Sequence, residues 1–372
     1  MNSIIVIGSG ILGASTAYHL AKQGADVMLI DRKDAGQATE AAAGIVCPWL
    51  TNRRGGAFYR LVEAGARYYP ELIEELKKDG EAETGYDRVG AINIYSGETK
   101  LEKKLALAME RRKDTPEMGD VSRLSSSETN ALFPPLADHY AAVHVSGAAR
   151  VNGSALRNAL VRGAEKHGAK VIHGNATLLF DGSEVKGATV NGDQYRSDQV
   201  IVTGGSWAQE LLEPLGMTFL VSPQKAQIVH LHLPNTDTGK WPIVMPPFIQ
   251  YFLPFESGRI VVGATQEDQV GFDLRVTMGG VNHIIERALK VAPGLESGTY
   301  VETKVGFRPF TPGNLPIAGA VPHMKGLLVA NGLGASGLTS GPILGAELAR
   351  FALGERNELD LGEYDPESAF RQ

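Results

Sequence analysis

Three glycines are the first residues in this chain whose types and spacing imply chemistry. The run Val6 to Gly13, VIGSGILG, places Gly8, Gly10 and Gly13 in the G-x-G-x-x-G spacing between a strand pattern and a helical one. Gly8 permits a tight turn, Gly10 lets a pyrophosphate approach main chain, and Gly13 lets the helix pack on the strand. The helix start at Ile11 and Leu12 offers free N–H donors and a positive dipole end to phosphate. Asp31 stands at the end of the second strand pattern, where a carboxylate accepts hydrogen bonds from ribose hydroxyls. Together these features predict dinucleotide binding. They do not separate FAD from NAD, because both carry an ADP moiety.

Other chemistries leave little trace. No G-x-S-x-G elbow is present, which argues against hydrolase chemistry. Cys47 is the only cysteine, so there is no internal disulfide and no multi-cysteine metal site. It reads as a small buried hydrophobe near a small-residue loop, with a reactive thiol left open. His230 and His232 lie two apart on a strand pattern without a cysteine or carboxylate cluster beside them, and no metal is expected.

The elements that must position these residues follow from periodicity. Ser3 to Ile7 reads as a strand, Ile11 to Gln23 as a helix and Asp26 to Ile30 as a second strand, a βαβ start. Helical patterns recur over Ala57 to Lys78 and Leu101 to Arg112, with a strand at Val89 to Tyr95 between them. Asn152 is a predicted N-cap for a helix running to Lys166. Strands are predicted at Lys170 to His173, Ala176 to Phe180, Glu184 to Asn191 and Gln199 to Thr203, the last ending at Gly204-Gly205. From Gln224 to Leu233 and from Tyr251 to Ala264 the period shifts toward two, and Glu256-Ser257-Gly258 marks a hairpin. A strand at Gly326 to Ala330, a Gly/Ser-rich stretch and a helix from Pro342 to Leu353 follow, with proline placed early in that helix.

Composition narrows the class. A chain of 372 residues suggests two domains sharing an interface. The net charge of −6, with both signs interspersed, gives no basic face for nucleic acid. One cysteine fits a reducing cytoplasm. The apolar run Ile4 to Ile7 breaks at Gly8, too early for a signal peptide or a transmembrane segment.

Further motifs resemble the D-amino-acid oxidase family of FAD-dependent oxidoreductases, especially its glycine oxidase and D-amino-acid dehydrogenase branches, over nearly the whole chain. After Asp31-Arg32, the run Ala38 to Pro48, ATEAAAGIVCP, is similar to the family's small-residue loop under the flavin; an alanine-rich helix start is the alternative. ARVNGSAL, from Ala149, resembles the passage back to the cofactor domain, and VTGGSW, from Val202, its second glycine contact. GFRPFTPGNLPIAG and VANGLGASGLTSGP, in the last quarter of the chain, resemble the G-x-R-P segment and the closing flavin loop.

The resemblance implies noncovalent FAD. Its expected contacts are the glycine fingerprint, Asp31, Arg32, Ala38, Thr39, Ala43, Gly44, Ile45, Thr177 through main chain, and Gly204 and Gly205. They continue through Gly332, Gly334, Ala335, Ser336, Gly337, Leu338 and Thr339. It also implies Arg308 as the holder of a substrate carboxylate, suited by its bidentate fork, with Tyr251 over the substrate. Ala335 stands where glycine-oxidase-like relatives often carry a polar or basic residue, so substrate preference does not transfer; Ser336 is the nearest polar substitute.

The expected fold is α/β: a discontinuous Rossmann-like FAD-binding domain (1–50, 145–215 and 305–372) with an interleaved sheet-rich α+β substrate domain (51–144 and 216–304). The expected activity is oxidation of a small amino acid to an imino acid that water hydrolyses, with oxygen or another electron acceptor taking the electrons. A nicotinamide-dependent dehydrogenase and a non-catalytic flavoprotein subunit are the competing readings. A homo-oligomer is left open.

Overall fold

The apolar strand Ser3–Ile7 lies at the centre of a six-stranded sheet, which explains its unbroken hydrophobic run: both of its faces are covered. Asp26–Asp31 and Lys170–His173 extend the sheet on one side, Gln199–Val202 and Leu327–Asn331 on the other, all parallel; Ile317–Ala320 closes the edge antiparallel. The computed structural model describes residues 2–51, 55–248 and 250–371. Alternate residues of the sheet divide between two cores. Ile4, Val6, Leu29 and Ile201 pack beneath the helices Ile11–Lys22, Gly153–Lys166 and Gly337–Leu353. Ile5, Ile7, Ile30 and Val200 pack beneath a three-stranded antiparallel sheet, Ala176–Asp181, Glu184–Val190 and Asp193–Arg196.

A mixed eight-stranded sheet forms the second layer. In spatial order its strands are Thr299–Phe310, Ser222–His232, Arg259–Gly263, Tyr251–Pro254, Ile243–Met245, Ala91–Tyr95, Ala141–Val145 and Val121–Leu124. The helix Met278–Val291 buries Ile284, Ala288 and Val291 against Val229, Phe252 and Val262 of this sheet, and its start is capped by Thr277, whose hydroxyl accepts from the Gly280 amide. Strands of the first sheet come from 3–31, 170–202 and 317–331, and those of the second from 91–145 and 222–310. The strand Thr299–Phe310 crosses residue 305 unbroken because it pairs along its length with Ser222–His232.

One sequence expectation needs correction. The last helix begins at Gly337, so Pro342 lies inside it. A proline there leaves the Leu338 carbonyl without its usual donor, and the Tyr69 hydroxyl supplies one instead. The Ser15 hydroxyl also donates to the Pro342 carbonyl at 2.6 Å, fastening the first helix to the last. The run after Ala38 forms turns, in line with the loop reading and not with its helical alternative, then the short strand Ile45–Val46, paired with Ala149–Arg150. Among the described residues, no helix is long and apolar enough to cross a membrane.

Candidate active site

The site is a cavity of about 570 Å³ that runs from Asp31 and Arg32, at the carboxyl ends of the first sheet, to Tyr251 and Arg308 on the second. At its first end the fingerprint glycines divide their work. A Cβ on Gly13 would lie 1.9 Å from the Gly8 carbonyl oxygen, so this position must be bare for the helix to meet the strand. A Cβ on Gly10 would meet only the Thr39 hydroxyl, at 3.5 Å; the space above Gly10 is left for a ligand. The Ile11 amide donates to Thr39 Oγ1 at 3.0 Å, whereas the cavity-lining Leu12 has no protein acceptor for its amide among the described residues. This is a helix N-terminus with donors to spare for a pyrophosphate.

Asp31 forms the wall beside it. Its carboxylate accepts from the Ser9 amide at 2.6 Å, the Lys33 amide at 2.5 Å and Gln37 Nε2 at 3.0 Å, so it is held rigidly at the rim. Arg32 is compensated by Asp34 and by Glu210, the latter at 2.8 Å. Ala38, Thr39, Ala43, Gly44, Ile45, Gly204 and Gly205 all line the cavity. So do Gly332, Gly334, Ala335, Ser336, Gly337, Leu338 and Thr339. Gly13 lies behind the wall in its packing role. Thr177 lies outside it: its side chain is exposed on the three-stranded sheet, opposite Thr189, and the neighbours Asn175 and Ala176 line the cavity instead.

The two glycine loops near the centre are stitched by Asn331, which sequence reasoning missed. Its amide donates to the Gly205 carbonyl at 2.9 Å and accepts from the Gly332 amide at 2.7 Å. An asparagine ending a strand just before a glycine run was the available signal. Gly334 has φ 51°, and a Cβ there would strike the Phe310 ring at 2.5 Å, so the closing loop requires glycine at that point. The helix that follows has no side-chain N-cap and no acidic residue in its first turn, which leaves its positive end facing the cavity.

The second end carries charge. Arg308 projects from Thr299–Phe310 into the cavity, and among the described residues no carboxylate lies within ion-pair distance of it. Its protein acceptor is a neutral amide, Gln224 Oε1, at 3.2 Å. Burial pulls the guanidinium below its ordinary value, with Tyr251 acting in the opposite sense. Burial pushes the Tyr251 phenol up to about 12 despite the nearby Arg308, so it keeps its proton. Tyr251 pairs with Gly263 across the sheet, and a Cβ on Gly263 would lie 2.2 Å from the phenol oxygen. Cys47 also lines the cavity, and burial pushes its thiol up to about 12, against the Leu50 and Trp49 amides and Lys104.

Spare amides at two helix starts, an open approach over Gly10 and loops held apart by glycine fit an extended dinucleotide that reaches from Asp31 to the second sheet. The comparisons agree. A family model described as "FAD dependent oxidoreductase" matches residues 3–351. An oxidoreductase of Bacillus subtilis (strain 168), YurR, is 60% identical over 370 residues, covering 99% of this chain and 100% of the relative. Glycine oxidase of Pseudomonas aeruginosa is 29% identical, with 98% of each chain covered. The crystal structure of iminodiacetate oxidase from Chelativorans sp. BNC1 superposes with a TM-score of 0.95 at 45% identity, covering 98% of each chain. Fold, cavity and sequence therefore place this chain in the D-amino-acid oxidase family of FAD-dependent oxidoreductases, with FAD as its cofactor.

Proposed function

We propose that the protein oxidises the carbon–nitrogen bond of a small amino acid: glycine, a D-amino acid or an N-substituted glycine. One observation carries the reading. A guanidinium without a carboxylate partner, Arg308, faces the cofactor cavity beside the Tyr251 hydroxyl, which has no hydrogen-bond partner among the described residues. A cation so placed calls for an anionic ligand. Glycine oxidase and iminodiacetate oxidase both act, by their names, on amines that bear a carboxylate, and the 45% identity to the latter favours a secondary amine. The competing nicotinamide reading loses its support with the family match.

When bound, FAD supplies the two-electron oxidation. Gly8, Gly10, Ile11, Leu12, Asp31 and Arg32 would hold its ADP half. The runs Ala38–Ile45, Gly204–Gly205 and Gly332–Thr339 would hold the ring system, without a covalent bond. Arg308 takes the substrate carboxylate as a two-point contact, and the Tyr251 hydroxyl donates to the same group. The charge of Arg308 disfavours a second positive charge close by, so it favours the neutral amine whose lone pair the oxidation needs. So held by Arg308 and Tyr251, the substrate would present its Cα–H to the cavity, where bound FAD would supply the oxidation while the nitrogen gives up a proton. Water then converts the imine to an oxo acid and ammonia or an amine, and oxygen or another acceptor takes the electrons.

We assign the first sheet with its helices as the cofactor domain and the eight-stranded sheet as the substrate domain; the interleaved strand order supports this. The single cysteine favours a reducing cytoplasm. Incubation of the FAD-loaded protein with glycine, D-alanine, sarcosine and iminodiacetate, with the oxo acid trapped as a hydrazone, tests the reading. Glyoxylate from at least one glycine-type substrate is expected. Absence of oxo acid from every member would contradict it.

A further inference from the structure

Arg308 is aimed from outside the cavity. We infer that Gln224 and Asp268 are positioning residues for it, an inference that rests on the carboxylate-anchor role proposed above. Gln224 sits directly across the ladder from Arg308. Arg308 Nη1 donates to Gln224 Oε1 at 3.2 Å, and Gln224 Nε2 donates to Asp268 Oδ1 at 3.0 Å. An amide has a donor end and an acceptor end, whereas a carboxylate only accepts. Asp268 therefore fixes which end of Gln224 meets the guanidinium. Rotation of the amide would set N–H against N–H and release Arg308 from its aim. The arrangement also keeps the carboxylate one side chain away, so the charge of Arg308 stays available to a ligand.

The adjacent residue explains how an exposed aspartate is held in register. Lys225 points to the opposite face of the strand and is fully buried. Its Nζ donates to Asp273 at 3.2 Å and to the Arg275 carbonyl at 2.8 Å. Its main chain exchanges hydrogen bonds with Glu267, at 3.0 and 2.9 Å, which places Asp268 beside Gln224. Lys225 thus pins the segment 267–275, and that segment orients the amide that orients the arginine. Each link lies within hydrogen-bond reach, and rigid support of this kind is what a preorganised anchor requires.

The test uses FAD-loaded Asp268→Ala, Asp268→Asn, Gln224→Leu and Arg308→Ala. Two quantities are read: the KM and kcat of the panel substrate that turns over, and the Kd of acetate followed by its perturbation of the flavin spectrum. Asp268→Ala and Gln224→Leu are expected to raise KM and the acetate Kd about tenfold, the worth of one hydrogen bond that orients a charged group, with kcat and FAD content held within about twofold. Asp268→Asn keeps an acceptor within reach but can also donate, so it holds Gln224 less firmly and is expected to weaken binding less than Asp268→Ala. Unchanged acetate binding in Asp268→Ala, or equal weakening in Asp268→Asn, would overturn the relay. Because Asp268 is exposed, its variants report even where Gln224→Leu fails to fold. If Arg308→Ala itself binds acetate normally, the anchor reading fails; if Arg308→Ala loses binding while Asp268→Ala and Gln224→Leu do not, the relay alone fails.

Discussion

In the proposed reading Arg308 and Tyr251 form the substrate end, and their neighbours make their roles separable. Arg308→Ala removes two charge-assisted contacts worth about 3 kcal/mol together, so KM should rise roughly 100-fold with FAD content unchanged. Steady-state kinetics with an absorbance measurement of bound flavin checks both halves. Tyr251→Phe removes a hydroxyl that has no protein partner, and about 1 kcal/mol of substrate binding is expected to go with it at little cost in stability. Gly263→Ala makes the same point indirectly: its Cβ would lie 2.2 Å from the phenol oxygen and displace the ring, so it should raise KM at least as far as Tyr251→Phe. Arg308 was legible because it stands in a G-x-R-P segment. Gln224 and Asp268 were not, since neither carries a motif and their link to Arg308 exists only through strand pairing and a folded-back segment.

The turn that starts the first helix lets packing and ligand binding be told apart. Gly13→Ala drives a methyl group into the Gly8 carbonyl and should cost about 2–3 kcal/mol of stability in the apoprotein. Gly10→Ala meets only the Thr39 hydroxyl, so the apoprotein should melt within a degree or two of wild type while FAD affinity falls. Melting curves of apo and FAD-loaded protein distinguish the two; equal loss of apo stability in both would contradict this division. The last helix offers a similar contrast. Tyr69→Phe leaves the Leu338 carbonyl unpaired beneath Pro342 and should destabilise by about 1–2 kcal/mol. The fingerprint was readable because its spacing encodes local geometry. The true start of the last helix was not, because what makes an internal proline tolerable is a tyrosine distant in sequence. For Thr177 the strand was correct, but which of its residues lines the cavity depends on how the small sheet sits over the large one.

Coupling of the whole fold to pH rests in part on His19, in the first helix. Its Nδ1 lies 2.6 Å from the Ser15 carbonyl, which only accepts, so Nδ1 carries the proton and Nε2 accepts from the Tyr68 hydroxyl at 2.5 Å. Burial pulls this histidine down to about 4. A base held neutral in the folded state stabilises fully above its unfolded value near 6.5, and that contribution is lost as pH falls toward 4, on the order of 3 kcal/mol in all. Melting temperature should therefore decline between these limits, and His19→Gln, which cannot titrate, should flatten the decline. An unchanged slope would contradict the assignment. At this level the sequence conveyed that helix-rich and sheet-rich stretches alternate along the chain, because period changes are local. The order of eight strands was not readable, because partners as distant as Ala91–Tyr95 and Ile243–Met245 meet only through tertiary packing.

Anaerobic titration of the FAD-loaded protein with glycine, sarcosine, iminodiacetate and D-alanine, followed by visible absorbance in wild type and Arg308→Ala, addresses the proposed chemistry without reference to any electron acceptor. Loss of the oxidised flavin band with at least one of these amines in wild type, and its persistence at the same concentration in Arg308→Ala, is the predicted result. A band that a chemical reductant removes but none of the amines does would contradict the account.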